Sequence, residues 1–191
     1  EVDQLGGTIT YSHKIGIAFV SGLSDEAAAQ LGDSSSVQQI MPDVAFEMEL
    51  PAMSMAAAAA DAAPADADDP TLASRYSWQW NMRAIDAESA WANGRLGSGD
   101  ITVAILDTGI DYTYPDLDGR VDLSRSISFV PEDDFYVNVF FPGKHPVTDI
   151  HYHGTHVAST VVSNGNVIAG VTSKTTLIGV KVCSAVLGNC P

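Results

Sequence analysis

The most strand-like part of the chain is a near-continuous apolar run at residues 101–106, with the sequence Ile-Thr-Val-Ala-Ile-Leu. Such a run is typical of a strand buried on both faces, in the centre of a parallel sheet that helices cover. The run stops at Asp107, and Thr108 and Gly109 follow as a turn. Asp107 is therefore expected at the carboxyl end of a central strand, where open α/β sheets place their ligands and their chemistry.

The alternation of strand and helix continues towards the C-terminus. Apolar residues between positions 157 and 162 recur at helical spacing, which predicts a buried helix that begins near His153. Residues 176–182 are predicted to form another strand of the parallel type, and residues 126–130 a further short strand. The order of these elements predicts the α/β class, with a parallel sheet, flanking helices and right-handed crossover connections.

A smaller unit of the α+β type is predicted for residues 1–50. Residues 14–20 have the composition of a strand, and residues 44–50 alternate between apolar and polar positions as a half-buried strand does. Between them, Ser24 is the predicted N-cap of a short helix. Nothing in this unit is typical of a catalytic site.

A change of composition separates this unit from the rest of the chain. Residues 51–75 are rich in Ala, Asp and Pro and offer few large apolar side chains to offset the entropy of ordering, which predicts a linker. Residues 76–191 contain the α/β unit. Within it, residues 131–150 are rich in Asp, Phe and Pro and are predicted to form a long irregular surface excursion.

The charge of the chain limits its partners. Nine Lys and Arg residues against 24 Asp and Glu residues give a formal net charge of −15, which argues against nucleic acid or an anionic membrane. No apolar run approaches the length of a membrane helix. The first residue is Glu1 rather than Met, which a removed signal peptide or a cloning boundary would both explain. Cys183 and Cys190 could close a small disulfide loop or remain free.

Asp107 and His153 are the candidate pair for chemistry. They are 46 positions apart (153 minus 107), one at a strand end and one at a helix start, so the carboxyl edge of the sheet can bring them together. A buried carboxylate that accepts from one imidazole nitrogen fixes the tautomer and leaves the other nitrogen free as a general base. The sequence therefore predicts two of the three groups of a nucleophilic triad.

Several motifs carry a family resemblance. The Asp-Thr-Gly triplet at 107–109, the Tyr-Pro-Asp-Leu turn at 114–117 and the His-Gly-Thr-His-Val-Ala segment at 153–158 resemble the aspartate and histidine signatures of the subtilisin-like serine peptidases. The order of acid and histidine is that of the subtilisin triad itself. The resemblance covers residues 76–182, and residues 11–50 more loosely resemble the N-terminal propeptide of that family, a folding aid and inhibitor.

The resemblance implies a secreted serine endopeptidase in which Asp107 is the orienting acid and His153 the general base. A polypeptide substrate and the chain's own propeptide-like segment are the implied partners. The family's serine, in a Gly-Thr-Ser-Met-Ala context, has no match here, because the partial echo at residues 53–56 lacks the Gly-Thr and precedes the acid. The 191 residues alone are therefore expected to be inactive, as the first portion of a catalytic domain that would also lack its oxyanion-hole asparagine.

A metal site is one alternative. His151, His153 and His156 have a spacing similar to that of metallo-β-lactamase-type hydrolases, but those enzymes have an Asp where this chain has Thr155. No histidine or acidic residue follows position 156, so nothing downstream could complete a zinc shell of the usual ligand count. No metal ligand and no cofactor are predicted.

Two further alternatives remain open. Asp116 matches a calcium-ligand position of the family, but residues 163–169 are too few for the family's calcium loop, so a turn-stabilising role is expected. Calcium stays possible in the complete enzyme. The missing serine would also suit a catalytically incomplete inhibitor or interaction module, whereas the intact Asp107 and His153 motifs favour part of a peptidase precursor.

Overall fold

The computed structural model describes residues 1–44, 46–47 and 66–190. Most of the predicted strand at 44–50, most of the predicted linker and the Ser-Met-Ala echo lie outside the described residues. The chain divides into two compact units, Glu1–Val44 and Ala45–Pro191, and each is described by itself. Within the described ranges, no helix combines the length and the apolar character that a membrane span requires.

The first unit contains a β-hairpin and one α-helix. After a 3-10 helix (Asp3–Leu5), strand β1 (Thr8–His13) pairs antiparallel with β2 (Ile17–Ser21), and helix α1 (Asp25–Gly32) follows.

The single strand predicted over residues 14–20 is wrong at its start. Residues 14–16 form the hairpin turn, in which Gly16 has φ +90° and its N–H donates to the carbonyl of His13. Glycine adopts this conformation without a steric penalty, so the chain reverses there. The predicted N-cap is confirmed, because the Ser24 hydroxyl accepts from the N–H of Ala27 at 3.2 Å.

The second unit contains a three-stranded parallel sheet. The helices and strands of its described residues are, in chain order, β3 (Phe46–Glu47), two 3-10 helices (Pro70–Leu72 and Tyr76–Trp78), α2 (Trp80–Ala84), α3 (Ala87–Ala92), β4 (Thr102–Asp107), β5 (Ile127–Ser128), α4 (Pro131–Phe140), α5 (His153–Val161), β6 (Thr176–Lys181) and β7 (Asn189–Cys190). The strand order of the parallel sheet is β4-β6-β5, and β3 pairs antiparallel with β7. Helix α5 connects two parallel strands, which agrees with the predicted α/β class.

Strand β4 is less enclosed than its composition suggests. The prediction of a central strand buried on both faces is wrong for the described residues, because β4 lies at the edge of the described sheet. Ile105 and Asp107 are buried, whereas the side chain of Leu106 is 63% exposed. Among the described residues β4 has only β6 as a paired neighbour, and α5 packs near it. One face therefore joins a core that consists of Ile105, Ile110, Leu117, Ala158, Val162 and Leu177.

The C-terminal end of the predicted linker is structured. Asp69 caps the 3-10 helix Pro70–Leu72 by accepting from the N–H of Thr71, and Pro70 is buried. The N–H groups of Ser74 and Arg75 donate to backbone carbonyls of residues 166 and 167. The division into residues 1–50, 51–75 and 76–191 stays a prediction, but residues 66–75 pack with the second unit.

The irregular excursion predicted for residues 131–150 is wrong in its first half, because residues 131–140 form α4. Pro131 occupies the first helical position, where its missing N–H costs nothing. Glu132, Asp133 and Asp134 lie in the first turn, where the helix dipole favours negative charge. The proline and the three acidic residues that mark this helix start are visible in the sequence. The helix was missed because no long run of apolar residues at helical spacing accompanies them.

Candidate active site

The structure brings Asp107 and His153 together at the carboxyl edge of the sheet. Asp107 is the last residue of β4 and His153 the first of α5. Nδ1 of His153 lies 2.8 Å from Oδ1 and 2.9 Å from Oδ2 of Asp107. The carboxylate is almost buried, whereas half of the imidazole is exposed. When Nδ1–H donates a hydrogen bond to the carboxylate, Nε2 is the ring nitrogen available to accept a proton.

Backbone donors hold the carboxylate and its strand in place. The N–H of Thr108 donates to Oδ1 of Asp107 at 2.7 Å. The Asp107 carbonyl accepts from the N–H groups of Val182 and Cys183, at 2.9 and 3.2 Å. The acid is therefore tied both to its own turn and to the chain that leaves β6.

Two glycines allow α5 to approach the end of β4. The N–H of Gly154 donates to the Thr108 hydroxyl at 2.9 Å. A Cβ at Gly154 would collide with the carbonyl oxygen of Gly109 and stand 3.1 Å from Oδ1 of Asp107. Gly109 has φ +113°, a conformation that side-chain-bearing residues rarely adopt. The short contact between His153 and Asp107 depends on this close backbone packing.

Asp149 organises the start of α5, and sequence reasoning missed it. Its Oδ1 accepts from the N–H groups of His151 and Tyr152 at 2.8 and 3.1 Å, and from the Thr108 hydroxyl at 3.0 Å. Its Oδ2 accepts from the N–H and the hydroxyl of Thr155 at 2.9 and 2.6 Å. Asp149 thus links the turn after β4 to the first turn of α5. An acid just before a predicted helix start is a capping signal that could have indicated this role.

The residue before His153 has an unusual backbone. Tyr152 has φ +122° and ψ −26°, and a positive φ is uncommon for a residue other than glycine. Such conformations cost on the order of 1–3 kcal/mol and persist when the surroundings impose them. The hydrogen bond from the Tyr152 N–H to Asp149 is one such constraint.

The other two histidines of the motif do not join His153 in a metal site. Among the described residues, no group of three or more His, Cys, Asp or Glu side chains is placed to hold a metal ion. The His151 ring stacks on Tyr152 at a centroid distance of 4.6 Å. His156, expected to be a structural residue inside the helix, lies in α5 but is exposed.

Asp116 is a structural carboxylate in this chain. It is fully buried, and its oxygens accept from the N–H groups of Asn166, Val167 and Ile168 at 2.6 to 3.3 Å. The turn-stabilising role expected from the sequence is observed, although the turn it holds follows α5 rather than β4. A carboxylate that accepts three backbone N–H bonds is satisfied without a cation.

The two cysteines, left open by the sequence, form a disulfide between Cys183 and Cys190. This disulfide closes the loop that leaves β6. Because the N–H of Cys183 donates to the Asp107 carbonyl, the loop begins directly beside the candidate acid.

Comparison with known proteins points to one family. The sequence profile of the Subtilase family matches residues 98–189, a range that contains both Asp107 and His153. The chain is 41% identical over 98 residues to the minor extracellular protease Vpr of Bacillus subtilis, an alignment that covers 51% of this chain and 12% of Vpr. It is 33% identical over 117 residues to halolysin of Haloferax mediterranei, which covers 59% of this chain and 20% of halolysin.

A third similar protein is the major intracellular serine protease of Bacillus subtilis. The identity is 38% over 105 residues, which covers 53% of this chain and 29% of that protease. The chain therefore spans less than a third of the length of each of these three curated relatives.

Proposed function

We propose that this chain is a member of the subtilase family and that it carries the acid and the base of a serine endopeptidase. The observation that supports the proposal most strongly is the contact of 2.8 Å between Nδ1 of His153 and the nearly buried carboxylate of Asp107. The two groups come from the two segments whose sequences resemble the family's signatures.

In the proposed mechanism, His153 takes a proton from a serine nucleophile as the serine attacks the peptide carbonyl. The imidazolium then donates that proton to the leaving amine. Asp107 holds the ring in the tautomer that leaves Nε2 free, and its negative charge stabilises the imidazolium. The serine and the donors of the oxyanion hole would come from a segment outside these 191 residues, so the chain alone is proposed to be inactive.

The accessory parts fit a secreted precursor. We propose that the first unit, Glu1–Val44, acts as a propeptide that binds the catalytic unit, with polypeptides as substrates. The disulfide between Cys183 and Cys190 favours an oxidising compartment and therefore secretion. The named relatives include one extracellular and one intracellular protease, so the disulfide carries more weight here than the relatives do.

The test uses the complete reading frame that encodes this chain. We expect the product to hydrolyse peptide substrates and to react with a fluorophosphonate, which labels activated serines. Asp107→Asn should lower the turnover by about 10⁴-fold, and His153→Ala by about 10⁶-fold, the sizes known for serine-peptidase triads including that of subtilisin. His156→Ala, on the same helix but away from Asp107, is the matched control and should keep most of the activity.

Normal labelling in both the Asp107→Asn and the His153→Ala variants would contradict the assignment. If instead the complete product is inactive and inhibits a subtilisin-type protease, the incomplete inhibitor or interaction module is the better description. Purified protein that holds stoichiometric zinc, lost in His153→Ala, would favour the metal-dependent alternative.

A further inference from the structure

A lysine lies buried at the end of β6, directly beside the candidate acid. Lys181 is fully buried, and it pairs with Asp107 in the register of the parallel sheet. Its Nζ donates to the carbonyl oxygen of Thr148 at 2.6 Å and lies 3.6 Å from Oδ2 of Asp133. Burying an ammonium group costs free energy unless the group is paired and hydrogen-bonded. The Thr148 carbonyl and the Asp133 carboxylate meet both requirements here.

The proton on Lys181 is subject to opposed influences. Burial lowers the pKa of Lys181, and the carboxylates of Asp133, Asp134 and Asp149 act in the opposite direction. The lysine therefore faces three acids that belong to α4 and to the segment before α5. The proposed mechanism uses none of these four groups.

The contact with Thr148 connects Lys181 to the start of α5. Thr148 is nearly buried and immediately precedes Asp149, whose carboxylate accepts from the N–H of His151, just before α5, and from the N–H of Thr155 in the first turn of α5. The aliphatic stem of Lys181 also runs beneath the turn that follows Asp107, because a Cβ at Gly109 would stand 2.8 Å from Cε of the lysine. Lys181 thus touches the two segments that present His153 and Asp107.

Asp133 anchors the other side of the lysine. It is fully buried and accepts from the Ser184 hydroxyl at 3.0 Å and from the N–H groups of Ala185 and Val186 at 3.1 and 3.2 Å. These partners lie inside the disulfide loop. Asp133 therefore has three hydrogen bonds that do not involve Lys181, which makes the two roles separable by mutation.

We propose that Lys181 is a positioning residue for the Asp107–His153 pair, which it holds in register through the Thr148 carbonyl and the capping carboxylate of Asp149. The inference rests on the proposed function, because the orientation of the His153 ring matters only if His153 acts as a base. Side chains that hold a reacting residue in its orientation typically affect activity strongly, although they do not contact the substrate themselves.

The experiment measures the tautomer of the His153 ring in the 191-residue chain, from the ¹⁵N chemical shifts of its two ring nitrogens. The unaltered protein should show predominantly the Nδ1–H form, because the Asp107 carboxylate accepts a hydrogen bond from Nδ1–H. Lys181→Met keeps the length of the side chain and removes its charge and its donors. We expect this variant to lose most of the Nδ1–H population in favour of the Nε2–H form.

A double variant separates positioning from charge balance. Asp133→Asn combined with Lys181→Met removes both buried charges at nearly constant volume, so the folded state should largely be restored. Under the proposal, the unfolding temperature recovers towards that of the unaltered protein, whereas the Nδ1–H population stays low. Recovery of both would show that Lys181 only neutralises Asp133 and would overturn the inference. Failure of the double variant to fold would overturn it as well, because the pair would then be needed for the fold itself.

The same measurement distinguishes this inference from the proposed function. If the unaltered protein shows the Nε2–H form, or if Asp107→Asn leaves its tautomer unchanged, the Asp107–His153 contact fails, and the proposed function loses its main support. If the Nδ1–H form is present and depends on Asp107 but persists in Lys181→Met, only the role of Lys181 is refuted.

Discussion

In the β1–β2 hairpin of the first unit, the side chains of Ile9, Tyr11 and Phe19 are each about half exposed, at 50%, 52% and 53%. In β6 of the second unit, Leu177 is fully buried, and the strand alternates between buried and half-buried positions. Both segments are rich in strand-forming residues. They differ in their surroundings. Among the residues that the structure describes, β6 lies between two strands, whereas β1 and β2 pair only with each other.

The difference extends to polar groups. In the second unit, Asp107, Asp116 and Asp133 are buried, and backbone N–H groups bind each carboxylate. In residues 1–44, all of which the structure describes, Leu31 is the one large apolar side chain that is buried. Local sequence pattern therefore locates strands, whereas burial and the placement of charge depend on what packs against them.

The largest effect is expected where the second unit buries charge. Asp133→Ala would leave the ammonium of Lys181 without its carboxylate partner and should lower the free energy of unfolding by about 3–5 kcal/mol. Urea unfolding followed by tryptophan fluorescence measures this effect, because all three tryptophans lie in the second unit. Ile15→Ser at the 70% exposed hairpin tip is the control and should change it by less than about 0.5 kcal/mol. An equal loss of free energy of unfolding in both variants would contradict the difference in burial between the two units.

The next largest loss of stability is expected from a buried leucine on β6, compared with an exposed leucine on the neighbouring strand β4. Leu177→Ala should cost about 2–5 kcal/mol, because it leaves a cavity in the core beside Ile105 and Val162. Leu106→Ala removes the same atoms from an exposed position on β4 and should cost less than about 0.5 kcal/mol. A comparable loss in both variants would show that the outer face of β4 is covered in solution.

A smaller effect is expected from a methyl group placed in the candidate site. Gly154→Ala forces its Cβ against the Gly109 carbonyl and the Asp107 carboxylate, and should cost about 1–3 kcal/mol. Gly99→Ala is the matched control, because its Cβ would meet the Lys174 carbonyl at 3.7 Å, an ordinary contact. Thermal unfolding of both variants tests the prediction, and an unchanged stability of Gly154→Ala would contradict the close packing of α5 against the turn.

The smallest effect concerns alkaline pH. Burial, and the hydrogen bond that the Tyr76 hydroxyl donates to Glu88 at 2.6 Å, raise the pKa of Tyr76 from 10.0 to about 12. Because the raised pKa belongs to the folded state, this stabilisation is complete below pH 10 and is lost as the pH rises from 10 to about 12. The free energy of unfolding should therefore fall more steeply over this range in the unaltered protein than in Tyr76→Phe. Parallel pH curves would refute the role of this contact.

The sequence carried enough information for the core of the site. The end of β4 at Asp107 and the start of α5 at His153 follow from apolar runs that stop or begin at those residues. A parallel sheet places such positions at one edge, which is why two residues 46 positions apart could be paired in advance. The α/β class followed from the same alternation of elements.

The sequence could not supply what depends on long-range partners. Lys181 meets Asp133 only because α4 and the disulfide loop fold over the end of β6. The edge position of β4 was missed for the same reason, since an apolar run does not reveal how many neighbours it will have. The hairpin turn was missed because Ile15 is apolar but exposed.

The central claim is that the Asp107 carboxylate accepts a hydrogen bond from Nδ1–H of His153 and so leaves Nε2 free to act as a base. Ring ¹⁵N shifts of His153 in the unaltered chain and in Asp107→Asn test it most directly. The account predicts mainly the Nδ1–H tautomer in the unaltered chain and a shift to the Nε2–H tautomer in Asp107→Asn. The Nε2–H tautomer in both proteins would contradict the account.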